Sequence, residues 1–169
     1  MKTPQRILWT AITLLLTVGC DQATKRIATH TLKSAPAYSY LGDTFRLVYA
    51  ENRGAFLSLG ASLPDAARFW ILTVIVGLLL VGIVLYTLLS PKLHRAQVIG
   101  YALIGGGGIS NWVDRATHDG LVVDFMNMGI GPLRTGVFNV ADLAIIAGIA
   151  LLMLESWTLD RQSKRALAP

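Results

Sequence analysis

The chain alternates long apolar stretches with polar ones, and the apolar stretches come in membrane lengths. From Phe69 to Leu89 there are 21 residues without a charge, enough for a helix to cross a hydrocarbon core of about 30 Å. Three more runs follow the same pattern: Ile7 to about Ile27, Ala96 to Val113 and Val137 to Leu154. Residues 28 to 65 are the one long stretch of soluble character. There Tyr38 to Leu41 and Phe45 to Ala50, rich in aromatic and β-branched residues, flank Gly42-Asp43, which predicts a hairpin. Ser62 to Asp65 reads as a helix start capped by Ser62, and Ser90 to Arg95 as a tight basic loop. After Val113 a polar loop passes Gly129, Gly131, Pro132 and Gly136. The pattern predicts an all-α integral membrane protein, one polytopic domain over residues 1–169. Its four transmembrane helices lie at about 7–27, 69–89, 96–113 and 137–154, with a β/loop insert at about 35–60 between helices 1 and 2.

Composition agrees with the pattern. Of 169 residues 53% are apolar and only 15% charged, against about a quarter charged in soluble domains. The pI of 9.7 does not indicate a nucleic-acid partner, because the basic residues are not gathered on one soluble face. Cys20 is the single cysteine, which excludes an internal disulfide and a cysteine-based zinc site, and His30, His94 and His118 lack the spacing of a helical metal site. No cofactor or metal is expected. The start of the chain, with Lys2 and Arg6 before an apolar run ending in Leu16-Thr17-Val18-Gly19-Cys20, approaches a cleavable lipoprotein signal. Thr17 stands where that signal usually has Leu, and three further apolar spans follow, so the segment reads as a first transmembrane helix. The unbroken run Gly105 to Gly108 reads as a close helix–helix contact; a phosphate loop would need the missing Gly-Lys-Ser/Thr.

Seven basic residues (Lys2, Arg6, Lys92, Arg95, Arg161, Lys164 and Arg165) sit in three short segments, which places both termini in the cytoplasm. Trp9, Trp70, Trp112 and Trp157 fall near span ends, as interfacial anchors do. Every polar motif then lies at the outer membrane face: Asp21 to Lys25, Asn52 to Phe56, Asn111 to Arg115, Asp124, and Asn139 to Asp142.

Asp124 follows Val122-Val123, and Asp142 opens the run Leu143 to Leu154. Carboxylates at such places are costly unless they are partnered, which marks them as functional-site candidates. On these two residues alone, a helix cap or an arginine pair explains them equally well. Ser110 is the one serine placed for nucleophilic chemistry in a span, but Asn111 stands where a rhomboid-type protease has Gly and no lysine lies in this span to serve as base. A carboxylate dyad remains, one member ionised to activate water and the other protonated to donate to a carbonyl. A proton-relay membrane protein is the rival class. It would need acids distributed across the membrane, and here they lie at one face. Asp114-Arg115 reads most simply as a structural ion pair, with direct substrate binding by Arg115 as the alternative, and Asp21-Lys25 as a local pair fixing the end of the first helix.

Five blocks carry a resemblance: Asp21-Gln22-Ala23-Thr24-Lys25, Asn52-Arg53-Gly54-Ala55-Phe56, Gly107 to Arg115, Gly120 to Phe125, and Phe138-Asn139-Val140-Ala141-Asp142. In order and spacing they closely resemble the motif blocks of bacterial lipoprotein signal peptidase (signal peptidase II). The resemblance implies an aspartyl endopeptidase of the inner membrane that cleaves diacylglyceryl-modified prolipoproteins just before the lipidated cysteine, with Asp124 and Asp142 as its dyad. It further implies supporting roles for Asp21, Lys25, Asn52, Gly54, Asn111, Asp114, Arg115 and Asn139, and a small extramembrane β-sheet with a mobile loop near the site. Membrane lipids as surroundings, a monomeric state and inhibition by cyclic lipopeptide antibiotics of the globomycin type belong to the same expectation. Two departures, Ser110 in place of the usual Gly and the Asn-Arg-Gly-Ala-Phe block in place of one with another Ala, bear on pocket shape and leave the dyad positions intact.

Overall fold

The computed structural model describes residues 1–55 and 59–166, with side chains as far as Arg161; Phe56 of the asparagine block and the side chains of Lys164 and Arg165 lie outside the described residues. Among the described residues four long helices carry the fold: α1 (Thr3–Leu32), α2 (Asp65–Leu89), α3 (Arg95–Thr117) and α4 (Val140–Ala166). Among the described residues, three helices are long and apolar enough to cross a membrane: α1, α2 and the Val140–Arg161 part of α4. The predicted third span, α3, is a helix of 23 residues, but its glycines and its polar last two turns keep it out of that set. The burial pattern is that of a membrane protein. Leu15, Leu78, Leu89 and Met153 are exposed on the outside, while Asp21, Lys25, Asp114 and Asn139 are buried.

The glycine run makes α3 the hub. A Cβ on Gly106 would stand 2.9 Å from Thr17 of α1, one on Gly107 would run into the Ala141 carbonyl of α4, and one on Gly108 into Leu80 of α2. Consecutive residues point about 100° apart around a helix, so three glycines admit three neighbours. Farther down, Gly100 and Gly148 meet: a Cβ on Gly148 would lie 2.6 Å from the Gly100 carbonyl.

Several boundaries differ from the sequence pattern, each for a local reason. Helix α1 runs past Ile27 to Leu32 because Ala28 and Leu32 pack with Phe125, flanked by Leu47, Tyr49 and Met126, and so form the floor of the sheet. Helix α2 is capped by Pro64, not by Ser62, with no side-chain cap bond. It contains a π-helical turn at Trp70–Ile75, where the Trp112 indole donates to the Thr73 carbonyl at 2.8 Å. Helix α4 begins at Val140 because Phe138 is still bridged to Met126 of the sheet.

The sheet is larger than predicted. It has four antiparallel strands in the order β1 (Tyr38–Tyr40), β2 (Phe45–Asn52), β3 (Val122–Ile130) and β4 (Leu133–Arg134). The expected insert between the first two helices supplies only β1 and β2. The other two strands come from the segment between α3 and α4 that reads as a polar loop. Asp124 and Asn127 hide β3 from a hydrophobic pattern, since both are polar and yet buried, at 2% and 8% exposure. The β2–β3 register sets Ala50 opposite Asp124 and Asn52 opposite Val122, with an irregularity between Leu47 and Ala50. The sheet thereby carries Asp124 and Asn52 to the same end of the bundle as the start of α4.

Candidate active site

Asn139 is the centre of the arrangement. As the residue before α4 it accepts the Asp142 amide on its side-chain oxygen at 3.0 Å, while the Asp142 Oδ2 accepts the Asn139 amide at 3.1 Å. This reciprocal pair is a capping box built from Asn and Asp, and it fixes the Asp142 carboxylate at the helix N-terminus. The other oxygen of Asp142 accepts Asn111 Nδ2 at 3.0 Å. The Asn139 Nδ2 in turn donates to Asp124 Oδ1 at 2.6 Å, and Asn52 Nδ2 donates to Asp124 Oδ2 at 3.0 Å. Two carboxylates from different elements thus share one asparagine. Both are buried, Asp124 at 2% and Asp142 at 7% exposure.

Burial pushes the Asp124 carboxyl up to about 7, and the nearby Asp142 carboxylate adds to it, against the Asn52 and Asn139 hydrogen bonds. A group with this value holds its proton in mildly acidic surroundings and exchanges it near neutrality.

A second layer lies beneath. Lys25 is 3% exposed and donates to Asp21 Oδ2 at 2.7 Å, Asp114 Oδ2 at 2.8 Å and Asn111 Oδ1 at 2.7 Å. Asp21 also accepts the Ala141 amide, in the first turn of α4, at 2.7 Å and the Ser110 hydroxyl at 2.7 Å. Two expectations are corrected here. Asp114 does not pair with Arg115, because successive helix residues diverge by about 100°; its partners are Lys25 and Gln22, the latter at 2.6 Å. Asp21 and Lys25 do pair, yet not to end the first helix, which continues to Leu32; they tie α1 to α3 and α4.

Arg115 faces the site instead. Its Nη2 donates to the Gly54 carbonyl at 2.6 Å and its Nη1 to the Asn111 carbonyl at 3.3 Å, while its buried Nε has no protein partner. Asn52 shapes the turn that presents Gly54, accepting the Gly54 amide at 2.8 Å and donating to the Ala55 carbonyl at 3.1 Å. Gln22 is a participant that sequence reasoning missed, although it stands inside the first of the five blocks. Ser110 is fully buried and donates to Asp21, which leaves it no nucleophilic role.

Two cavities open between α2 and α3. One of about 700 Å³ is lined by Arg53, Arg68, Phe69 and Arg115, the other, of about 530 Å³, by Val74, Gly77, Leu80, Ile109 and Trp112; Thr73 borders both. Neither is lined by Asp124 or Asp142, and Arg115, which lines the polar one, holds the Gly54 carbonyl of the Asn52 turn.

Fold and site together define a helical membrane protein with a buried pair of carboxylates held by asparagine side chains. The family model for signal peptidase (SPase) II matches residues 13–158. The chain belongs to the signal peptidase II family. Relatives named lipoprotein signal peptidase include one from Sphingopyxis alaskensis, 35% identical over 95% of this chain and 89% of its own, and one from Photorhabdus laumondii, 33% identical over 92% and 90%. A solved bacterial membrane enzyme at 21% identity superposes with a TM-score of 0.77 over 95% of this chain and 93% of its own, and a second at 23% identity with 0.70 over 86% and 90%. These two show the fold.

Proposed function

We propose that this protein is a membrane-embedded aspartyl endopeptidase that removes signal peptides from diacylglyceryl-modified prolipoproteins, cutting just before the lipidated cysteine, with Asp124 and Asp142 as its dyad. The observation that carries the reading is the shared Asn139, which orients both carboxylates at once in a member of this peptidase family. Asp142 is the base. It receives two N–H donors and lies in the first turn of α4, where the helix dipole favours negative charge. Asp124, held at about 7, keeps the proton. Asp142 draws a proton from water as the oxygen attacks the scissile carbonyl, and Asp124 donates its proton to the carbonyl oxygen. Arg115, Gly54 and Asn52 border the place where the peptide backbone is received.

The same reading takes α3 as the fourth span, residues 1–169 as one domain, both termini as cytoplasmic and the site as periplasmic in the inner membrane. Charge placement supports it: Arg95 stacks on Trp9 at 3.9 Å and Arg161 on Trp157 at 3.7 Å, at the ends away from the aspartates. A monomer bound by cyclic lipopeptides of the globomycin type completes the proposal. The test is incubation of the purified protein with lipidated and non-lipidated forms of one prolipoprotein. Release of the signal peptide from the lipidated form is expected; equal cleavage of both would overturn the assigned substrate.

A further inference from the structure

Lys25 touches neither aspartate of the dyad, and its three partners come from α1 and α3. An ammonium carries three donors and no acceptor, and all three are engaged: Asp21 Oδ2, Asp114 Oδ2 and Asn111 Oδ1. Whatever atom of Asn111 faces Lys25 must therefore be its oxygen. The amide of an asparagine is otherwise free to be placed either way round, and here the choice is forced. With Oδ1 toward Lys25, the Nδ2 group faces Asp142 Oδ1 at 3.0 Å. The same Oδ1 accepts Asn139 Nδ2 at 3.0 Å; Asn139 is itself held by the Asp142 backbone amide on its oxygen, so Lys25 and Asn139 converge as donors on one acceptor. Donation runs outward from Lys25 through Asn111 to Asp142.

We infer that Lys25 is a positioning residue for the dyad: by fixing the direction of the Asn111 amide, it holds Asp142 as the ionised member. The inference rests on the dyad reading above. It concerns direction more than charge, because Asp21 and Asp114 already neutralise the ammonium and leave the cluster one negative charge. The other charged groups facing this region are Arg115 on α3, Asp142 on α4 and Asp124 on β3. Were the Asn111 amide to turn, its oxygen would face Asp142 and favour the protonated form, and the division of labour in the dyad would be lost.

The test replaces the cation and one acid together, Lys25→Met with Asp114→Asn, so that the cluster keeps its net charge. In detergent, a thermal melt establishes folding and the pH profile of kcat/KM is then compared with wild type. Loss of one bond to a charged group implies an acid limb moved up by about one pH unit and about a tenfold lower kcat on that limb, with KM little changed. A purely structural lysine would lower the melting temperature and leave the limb where it is, and that result overturns the inference. Should the double variant not fold, Lys25→Arg carries the test. A guanidinium again presents donors only, so the wild-type limb is expected and a displaced limb refutes the claim. Failure of the underlying dyad reading looks different: Asp124→Asn and Asp142→Asn would then keep their turnover.

Discussion

Replacing Asp124 by Asn separates what the dyad costs the fold from what it gives the reaction. Asp124 is 2% exposed, and its carboxyl is raised from 3.8 to about 7, first by burial and then by Asp142. Because the folded protein holds this proton more tightly than the unfolded chain, stability from this group is complete below about pH 4. It declines as pH rises, and the loss is complete once pH passes 7. At about 1.4 kcal/mol per pH unit, the window costs about 4 kcal/mol, which for a chain of this size is a fall of about 10 °C in melting temperature. Asn has no proton to lose. The Asp124→Asn protein should therefore lack this part of the decline, and the gap between the two melting temperatures should widen in favour of the variant from pH 4 to pH 8. Intrinsic tryptophan fluorescence during thermal melts in one detergent reads it directly. Parallel pH dependences for the two proteins would refute the argument, for Asp124 would then not be a proton-holding group in the folded state. In wild type the same ionisation removes the acid, so activity should fall as pH rises through about 7.

Further expectations follow from the same geometry. Asp124→Asn and Asp142→Asn should each lower turnover by orders of magnitude in folded protein, and the double variant should be scarcely worse than either, since the two act as a unit; near-normal turnover of either single variant contradicts the mechanism. Single cysteines at positions 92 and 161 should react with a membrane-impermeant probe only from the cytoplasmic side, and one at position 43 only from outside; reaction of position 92 from outside reverses the orientation.

The helices were legible because membrane spans announce themselves by length and lack of charge, and the β1–β2 hairpin because Gly42-Asp43 separates two aromatic, β-branched runs. Strand β3 was not legible. Two of its buried positions are the polar Asp124 and Asn127, and burial on neighbouring positions such as Asp124 and Phe125 breaks the alternation that would betray a half-buried strand. The polar blocks were visible one by one, and the basic residues in the short segments assigned them to one membrane face, but which of them touch was not readable. What the sequence could not give was the direction of each hydrogen bond. Adjacent letters suggested that Asp114 meets Arg115, whereas a helix turns them apart and passes Asp114 to Lys25, 89 positions away. Asn139 was expected near the carboxylates, but its double service to α4 and to Asp124 depends on Phe138 being held by the sheet.

The glycine hub has a consequence for how the molecule holds together. Each glycine in a helix interior costs about 1 kcal/mol relative to alanine, so Gly105 to Gly108 leave α3 with little helical preference of its own. Among the described residues it is also the long helix that is not apolar enough over its length to count as a membrane span. Its neighbours supply what it lacks: Thr17, Leu80 and Ala141 close on the bare backbone, and Lys25 receives the carboxylate of Asp114. Helix α3 thus takes its place from its neighbours, and the site it carries is only as firm as the packing of α1, α2 and α4 around those glycines.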